Sequence, residues 1–167
     1  MLLDQLNCAY YPSFNPLLYP FSGNLNKENF VKRILIIDDD KEISELLKSK
    51  LLEDRRIKVF TAEDPFEAME ILNHQVVDAI ILDWILPEMT GAETLSKTEQ
   101  VFKTDPNLPY EWEDKKVKVI VLSGRERTEC KASSTKHFRY SGFVSKKSGN
   151  LQNMIENILK HIHKIEI

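Results

Sequence analysis

The sequence predicts an α/β fold: a doubly wound, five-stranded parallel sheet with helices on both faces. Two short apolar runs, residues 34–37 and 79–82, are typical of strands buried on both sides, and each is followed directly by aspartate. Segments in which apolar residues have helical spacing alternate with the strand-like segments along the chain. This alternation indicates a parallel sheet that is covered on both faces.

The first half of the domain, from about Val31, contains three strands and two helices. We expect strands over residues 33–37, 57–61 and 79–83, the second of them a half-exposed edge strand because its side chains alternate. Asp40 or Lys41 begins the first helix. The second helix begins at Asp64-Pro65, since aspartate at the N-cap followed by proline is a strong start signal.

The second half continues the alternation. A turn at Thr90-Gly91 precedes a helix over 92–103, and a long loop, residues 104–114, leads to a strand over 117–122. A polar, weakly patterned helix is expected over 127–138, followed by a short strand over 142–145. The last helix carries one apolar stripe, formed by Leu151, Met154, Ile155, Ile158, Leu159 and Ile162.

The composition argues against several classes of protein. The 167 residues include 23 basic and 26 acidic side chains, a net charge of −3, so no global basic field favours nucleic acid. Cys8 and Cys130 lack metal-binding spacing and are typical of free thiols in a reducing compartment. No apolar run is long enough for a membrane span and no secretory signal is recognisable. We therefore expect a cytoplasmic protein of one domain plus an appendage.

Residues 1–30 differ from the rest of the chain. Pro12, Pro16 and Pro20 are interspersed with aromatic residues, and prolines at this spacing exclude a long helix. We expect a flexible leader, separate from the domain at 31–167. The alternative is an arm whose aromatic side chains dock on this domain or on a partner.

Four predicted strands are followed by polar residues: Asp38-Asp39, Asp83, Ser123 and Lys146. Because the carboxyl ends of parallel strands meet at one rim of a sheet, we expect these side chains to converge. Two carboxylates about 4 Å apart repel by roughly 4 kcal/mol at an effective dielectric constant of about 20. The cluster therefore needs positive charge, for which Mg²⁺ with oxygen ligands and the Lys146 ammonium are the candidates.

The same rim offers the parts of a phosphoryl-transfer site. A carboxylate can act as the nucleophile, Ser123 supplies a hydroxyl, and the Gly124 N–H can approach an oxyanion because no side chain blocks it. Phosphoryl transfer depends mainly on charge neutralisation and on positioning the three equatorial oxygens. The combination therefore indicates this chemistry.

This ordered set of motifs resembles the receiver domain of two-component response regulators, in the single-domain form of the chemotaxis regulators. The motifs are an acidic pair after strand one, Asp83-x-x-x-Pro87 after strand three, serine with a small residue after strand four, and Lys146 after strand five. The resemblance covers Val31 to about Ile162. It implies a flavodoxin-like strand order, 2-1-3-4-5.

The resemblance implies a role for each acidic residue. Asp83 is then the phosphoacceptor. Asp39 and Asp83 ligate Mg²⁺ directly, the Ile85 carbonyl oxygen is a third protein ligand, and Asp38 acts through water.

The resemblance also implies the groups that hold the phosphoryl oxygens. Ser123 and Lys146 each contact one oxygen, and the backbone at Ile85 and Gly124 binds the phosphoryl group as well. Ser123 carries the conformational switch together with Phe143, the aromatic residue of the fifth strand.

The implied function is that of a signalling switch rather than an enzyme, since the only reactions catalysed are its own phosphorylation and dephosphorylation. A histidine kinase, a histidine phosphotransfer protein or a small phosphodonor would supply the phosphoryl group. An unknown downstream protein would contact the fourth and fifth helices and the strand between them. We expect no output domain, and a monomer or a phosphorylation-dependent dimer.

Three features depart from the family's pattern. Lys147 follows the lysine where a cis proline is usual, so we expect a trans peptide and a shifted loop. The segment between Asp83 and Ser123 is longer than usual. Ile85 and Arg125 flank the path of attacking water. Because Ile85 cannot hydrogen-bond water and Arg125 could cover the phosphoryl group, we predict self-dephosphorylation over many minutes or hours.

Two alternatives remain open. A pseudo-receiver would bind its partner constitutively and leave the acidic site idle. A phosphohydrolase of the haloacid-dehalogenase type uses a similar set of residues. Its nucleophile, however, follows the first strand in a motif that ends in threonine or valine, and residues 38–42 lack that ending.

Overall fold

In the computed structural model, five strands form one parallel sheet in the order β2-β1-β3-β4-β5. The structure describes residues 31–105, 112–130, 133–147 and 150–163. The strands are β1 (Lys32–Ile37), β2 (Ile57–Ala62), β3 (Ala79–Asp83), β4 (Val117–Ser123) and β5 (Phe138–Ser145). The predicted fold class and strand order are confirmed, and β2 is an edge strand as expected.

The described helices lie on both faces of the sheet. They are α1 (Lys41–Leu51), α2 (Pro65–His74), α3 (Gly91–Thr104) and α4 (Leu151–His163). Residues of α1 and α4 share a buried cluster with one face of β1, β3, β4 and β5. Residues of α2 and α3 share a second cluster with the opposite face. No helix in the described ranges is long and apolar enough to cross a membrane.

Short polar signals begin three of the helices. Asp40 and Asp64 each accept two backbone N–H groups from the first turn of α1 and α2, which are N-caps at the predicted positions. Thr90 and Glu93 form a capping box at the start of α3, where the sequence had indicated only a turn. Each cap satisfies N–H groups that the first helical turn leaves without partners.

The central strands are as buried as their composition predicts. All side chains of residues 34–37 and 79–82 are fully buried, so β1 and β3 lie in the middle of the core. Trp112, at the end of the long loop, is also fully buried, and its Nε1–H donates to the Leu72 carbonyl oxygen (3.1 Å). Residues 106–111 of this loop, and the predicted leader or arm at 1–30, lie outside the described residues.

The predicted helix over 127–138 is wrong. The described part of this segment contains turns at 127–129 and an irregular path at 133–137, and β5 begins at Phe138, well before the expected position. Phe138 and Tyr140 pack into the core face shared with α3. Pairing with β4 and burial of these rings therefore override a weak helical pattern. Within the described residues of this segment, the expected output surface, which included this helix, is not present in that form.

Candidate functional site

Three carboxylates meet at the rim where β1 and β3 end. One oxygen from each of Asp38, Asp39 and Asp83 lies within 4.8 Å of the other two. Asp38 and Asp83 are buried and Asp39 is exposed. The rim is thus open to an approaching ion or substrate from the side of Asp39.

Lys146 reaches this cluster from the end of β5. Its Nζ lies 2.6 Å from Asp83 Oδ2 and 2.8 and 3.0 Å from the two oxygens of Asp38. Burial lowers the pKa of Lys146, but hydrogen bonds and ion pairs with the two aspartates outweigh this effect and hold the pKa above its usual value. Lys146 is therefore a cation here, and the absence of a following proline does not prevent it from reaching Asp83.

Asp38 has an incompletely satisfied environment. Its Oδ1 accepts the Asp40 N–H (3.0 Å), whereas among the described residues the Lys146 ammonium (2.8 Å) is the one polar partner of the buried Oδ2. Burial raises the pKa of Asp38 above its usual value, and the interactions with Lys146 offset this only in part. A buried carboxylate oxygen without a full set of partners favours an additional cation.

The donor set fits Mg²⁺. Magnesium prefers oxygen ligands and usually keeps several waters, so one or two carboxylates on a partly open rim suffice. The three aspartates supply such ligands with one of them exposed. The incomplete bonding of Asp38 Oδ2 is the observation that supports this fit.

Close packing of α3 on β3 positions Asp83. A Cβ on Gly91, the first residue of α3, would lie 2.5 Å from the Asp83 carbonyl oxygen and 2.7 Å from Leu82 Cγ, so only glycine fits. The Ile85 N–H donates to Asp83 Oδ1 (3.1 Å), which orients the carboxylate. The Ile85 side chain is 44% exposed and contributes no polar group beside the rim.

Ser123 is buried and bonded to its own loop. Its hydroxyl oxygen accepts the Arg125 N–H (3.0 Å), and its carbonyl oxygen accepts the Lys146 N–H (2.8 Å). The Arg125 guanidinium pairs with Glu129 (3.2 Å) on the surface rather than with the aspartates. Nothing lies within 4 Å of a Cβ built on Gly124. In this conformation a larger residue would therefore also leave the backbone N–H accessible, so glycine is not required there.

Phe143 lies half-buried in β5, beside a cavity of about 260 Å³. Cys130 also lines this cavity. Burial raises the pKa of the Cys130 thiol, and a hydrogen bond to Ser123 opposes the rise. From the sequence, Cys130 was expected only to be a free thiol. Its proximity to Ser123 could not be predicted, because the connection between the two residues is irregular and has no repeating pattern.

Comparison with known proteins places this geometry in a family. The sequence pattern of the response regulator receiver domain matches residues 34–159. The transcriptional regulatory protein CpxR of Escherichia coli is 35% identical over 74 residues, which are 44% of this chain and 31% of CpxR. A protein-glutamate methylesterase/protein-glutamine glutaminase of Rhodopseudomonas palustris is 41% identical over 66 residues, 39% of this chain and 18% of that protein. The chain thus spans about a third or less of the length of these relatives.

Solved structures agree with this assignment. The response regulator TrrA of Thermotoga maritima, determined in complex with Mg²⁺-BeF, is 28% identical, with a TM-score of 0.54 over 78% of this chain and 99% of TrrA. A CheY-like receiver domain protein of Methanospirillum hungatei has a TM-score of 0.53 and 22% identity over 80% of this chain and 94% of its own, which supports the fold. With a five-stranded sheet in the expected order, an acidic rim and a sequence match over residues 34–159, the chain belongs to the response regulator receiver domain family.

Proposed function

We propose that this protein is a phosphorylation-dependent signalling switch that accepts a phosphoryl group on Asp83. The observation that carries the proposal is the cluster of three carboxylates, two of which, Asp38 and Asp83, contact the Lys146 ammonium. Receiver domains are phosphorylated by histidine kinases or histidine phosphotransfer proteins, and we assign the same kind of donor to this chain. The downstream partner would be a protein, recruited by a change at the surface.

Asp38, Asp39 and Asp83, with the Ile85 carbonyl oxygen, would hold Mg²⁺. When bound, the ion neutralises negative charge on the carboxylates and on the incoming phosphoryl oxygens. Lys146 already lies 2.6 Å from Asp83 and needs little movement to contact one of those oxygens. The partly buried, cationic Lys146 therefore favours an additional negative group at this position.

The transfer itself is a displacement at phosphorus. A carboxylate oxygen of Asp83 bonds to phosphorus while the bond from phosphorus to the donor nitrogen or oxygen breaks, and the electron pair leaves with the donor. Ser123 would then exchange the hydrogen bond from Arg125 for one to a phosphoryl oxygen, which moves the loop that follows β4. Phe143 lies beside the cavity next to this loop and would respond to the movement.

The direct test is incubation with acetyl phosphate and Mg²⁺ followed by intact mass measurement. The wild type should gain one phosphoryl group and Asp83→Asn none, with the gain abolished by a metal chelator. A wild type that gains nothing under these conditions would instead favour an interaction module with an idle acidic site. Sustained turnover of p-nitrophenyl phosphate would favour the phosphohydrolase.

A further inference from the structure

The connection between β4 and β5 follows Ser123 directly. Its described residues, 124–130 and 133–137, contain no helix, and the connection ends where β5 begins at Phe138. The proposed switch moves Ser123 and therefore the near end of this connection. Whatever anchors the far end restrains that movement.

A buried carboxylate on α3 anchors the far end. Glu99 is 4% exposed, and its Oε2 accepts hydrogen bonds from the Thr135 hydroxyl (2.6 Å) and from the His137 N–H (3.1 Å). Its Oε1 lies 2.9 Å from His137 Nδ1. The Thr135 hydroxyl oxygen in turn accepts the Phe138 N–H (3.1 Å). We call Glu99, Thr135 and His137 the α3 latch.

Aromatic rings enclose the α3 latch. His137 is 3% exposed and meets the rings of Phe102 and Trp112 edge-on, with centroids 5.6 and 6.2 Å away. In such a dry environment a buried polar network is favourable when all its members are bonded and costly when one bond is lost. The latch therefore strongly stabilises the observed conformation of the connection relative to conformations in which one of these hydrogen bonds is lost.

The connection has space to rearrange. The cavity of about 260 Å³ beside Phe143 is also lined by Arg127 and Cys130. A second cavity, of about 320 Å³, lies between α3 and residues that include Thr135 and Phe138. Both are open to solvent and lie at the surface of the molecule. Segments of the connection that line them can therefore shift without displacing the core.

We propose that the α3 latch restrains the switch: its hydrogen bonds stabilise the conformation in which Ser123 is bonded to its own loop, and oppose the conformation in which Ser123 contacts a phosphoryl group on Asp83. The inference rests on the proposed function. A contact shifts an equilibrium between two conformations only by the difference between its interaction free energies in the two conformations. Weakening the latch should therefore favour the phosphoryl-bound conformation.

The test measures binding of beryllofluoride with Mg²⁺ to the full chain, by isothermal titration calorimetry. Glu99→Met removes both acceptor oxygens but keeps a flexible, helix-forming side chain of similar length. We expect roughly fivefold tighter binding, at the lower end of common coupling effects, and faster amide exchange at residues 133–138. Thr135→Val, which removes a single hydroxyl, should shift binding in the same direction by less, and serves if Glu99→Met does not fold.

Two controls separate this effect from general destabilisation. Glu99→Gln keeps an oxygen that can accept the Thr135 hydroxyl and the His137 N–H, and should bind as the wild type does. Asp78→Asn weakens a different carboxylate anchor, which accepts the Arg33 N–H (2.7 Å) at the opposite end of the sheet. It should lower stability and leave beryllofluoride affinity unchanged.

The outcomes are distinguishable. Tighter binding by Glu99→Met or Thr135→Val, with both controls unchanged, supports the latch. Equal or weaker binding by folded latch variants, or an equal gain in Asp78→Asn, overturns it and leaves the proposed function intact. A folded wild type that does not bind beryllofluoride with Mg²⁺ overturns the proposed function, and the latch proposal with it.

Discussion

At the scale of single residues, the rim is a balance between the crowded negative charge of the aspartates and the partly buried ammonium of Lys146. Lys146 contacts both buried aspartates and is the one described polar partner of Asp38 Oδ2. Removing one partner of such a group leaves a buried charge without compensation, which costs far more than the intact pair contributes. Charge changes at this site should therefore affect stability and ion binding together.

Lys146→Met should lower the free energy of unfolding by about 3 kcal/mol in the presence of a chelator. Mg²⁺ should restore a large part of this loss, because a divalent cation replaces the missing positive charge. Urea unfolding with and without Mg²⁺ measures both values. A loss of the same size in both conditions would show that the aspartates do not share their cation site with a metal.

The side chain of Ile85 leads to a second prediction at this scale. It is 44% exposed beside Asp83 and cannot orient water. Arg125, which was expected to cover the phosphoryl group, pairs with Glu129 on the surface instead, so the prediction depends on Ile85. The wild-type phosphoprotein should decay over many minutes or hours, and Ile85→Asn should accelerate decay by roughly tenfold, the effect of about 1.4 kcal/mol on the barrier. Ile85→Val is the matched control. Decay of the purified wild type within seconds would contradict the prediction.

At the scale of helices and strands, an element is predictable from the sequence when the contacts that determine it lie between residues close together in the chain. The start of α2 was predictable because Asp64, Pro65 and Glu67 are neighbours in the chain. The region 127–138 was not, because the residues that extend β5 contact β4 and α3 rather than each other. A helical pattern with few apolar positions has little tertiary stabilisation and loses to such contacts.

Two glycines test the packing of these elements. Gly91→Ala should destabilise the protein by about 1–3 kcal/mol, because its Cβ would overlap the end of β3. Gly124→Ala should be near neutral for stability, since the corresponding Cβ meets open space. Thermal or urea unfolding of the two variants provides the comparison. Equal effects would mean that α3 can move away from β3 at little cost.

At the scale of the whole molecule, the sequence predicts how the strand ends converge but not what supports them. Asp38, Asp83 and Lys146 meet because parallel strands share a polarity, which is a property of the topology. The pairing of Glu99 with His137 depends on the path of a connection that has no repeating pattern. No spacing of single residues predicts such a contact.

Unfolding at acidic pH tests how much the Glu99 carboxylate contributes to stability. Burial raises the pKa of Glu99. Hydrogen bonds from Thr135 and His137 outweigh this effect and hold the pKa below its ordinary value of 4.5. A carboxyl group with a lower pKa in the folded state stabilises the fold above its unfolded pKa, and loses this effect as the pH falls through its folded pKa.

The free energy of unfolding should therefore decline as the pH falls below about 4.5, and the decline should be shallower in Glu99→Gln than in the wild type. Urea titrations at a series of pH values measure the two curves. Curves that remain parallel below this pH would show that Glu99 does not contribute to acid sensitivity.

The irregular register of β5 has a consequence for solubility. Ser141 has no paired position in β4, although its hydroxyl donates to the Val119 carbonyl oxygen (3.3 Å), so the ladder shifts by one residue between Val119 and Ile120. At the other edge of the sheet, the side chain of Lys58 in β2 is exposed. A bulge and an outward lysine are two devices by which natural sheets prevent another strand from adding to a free border. These two features should hinder the addition of a further strand at either edge of the described sheet, so concentrated protein should resist edge-to-edge aggregation.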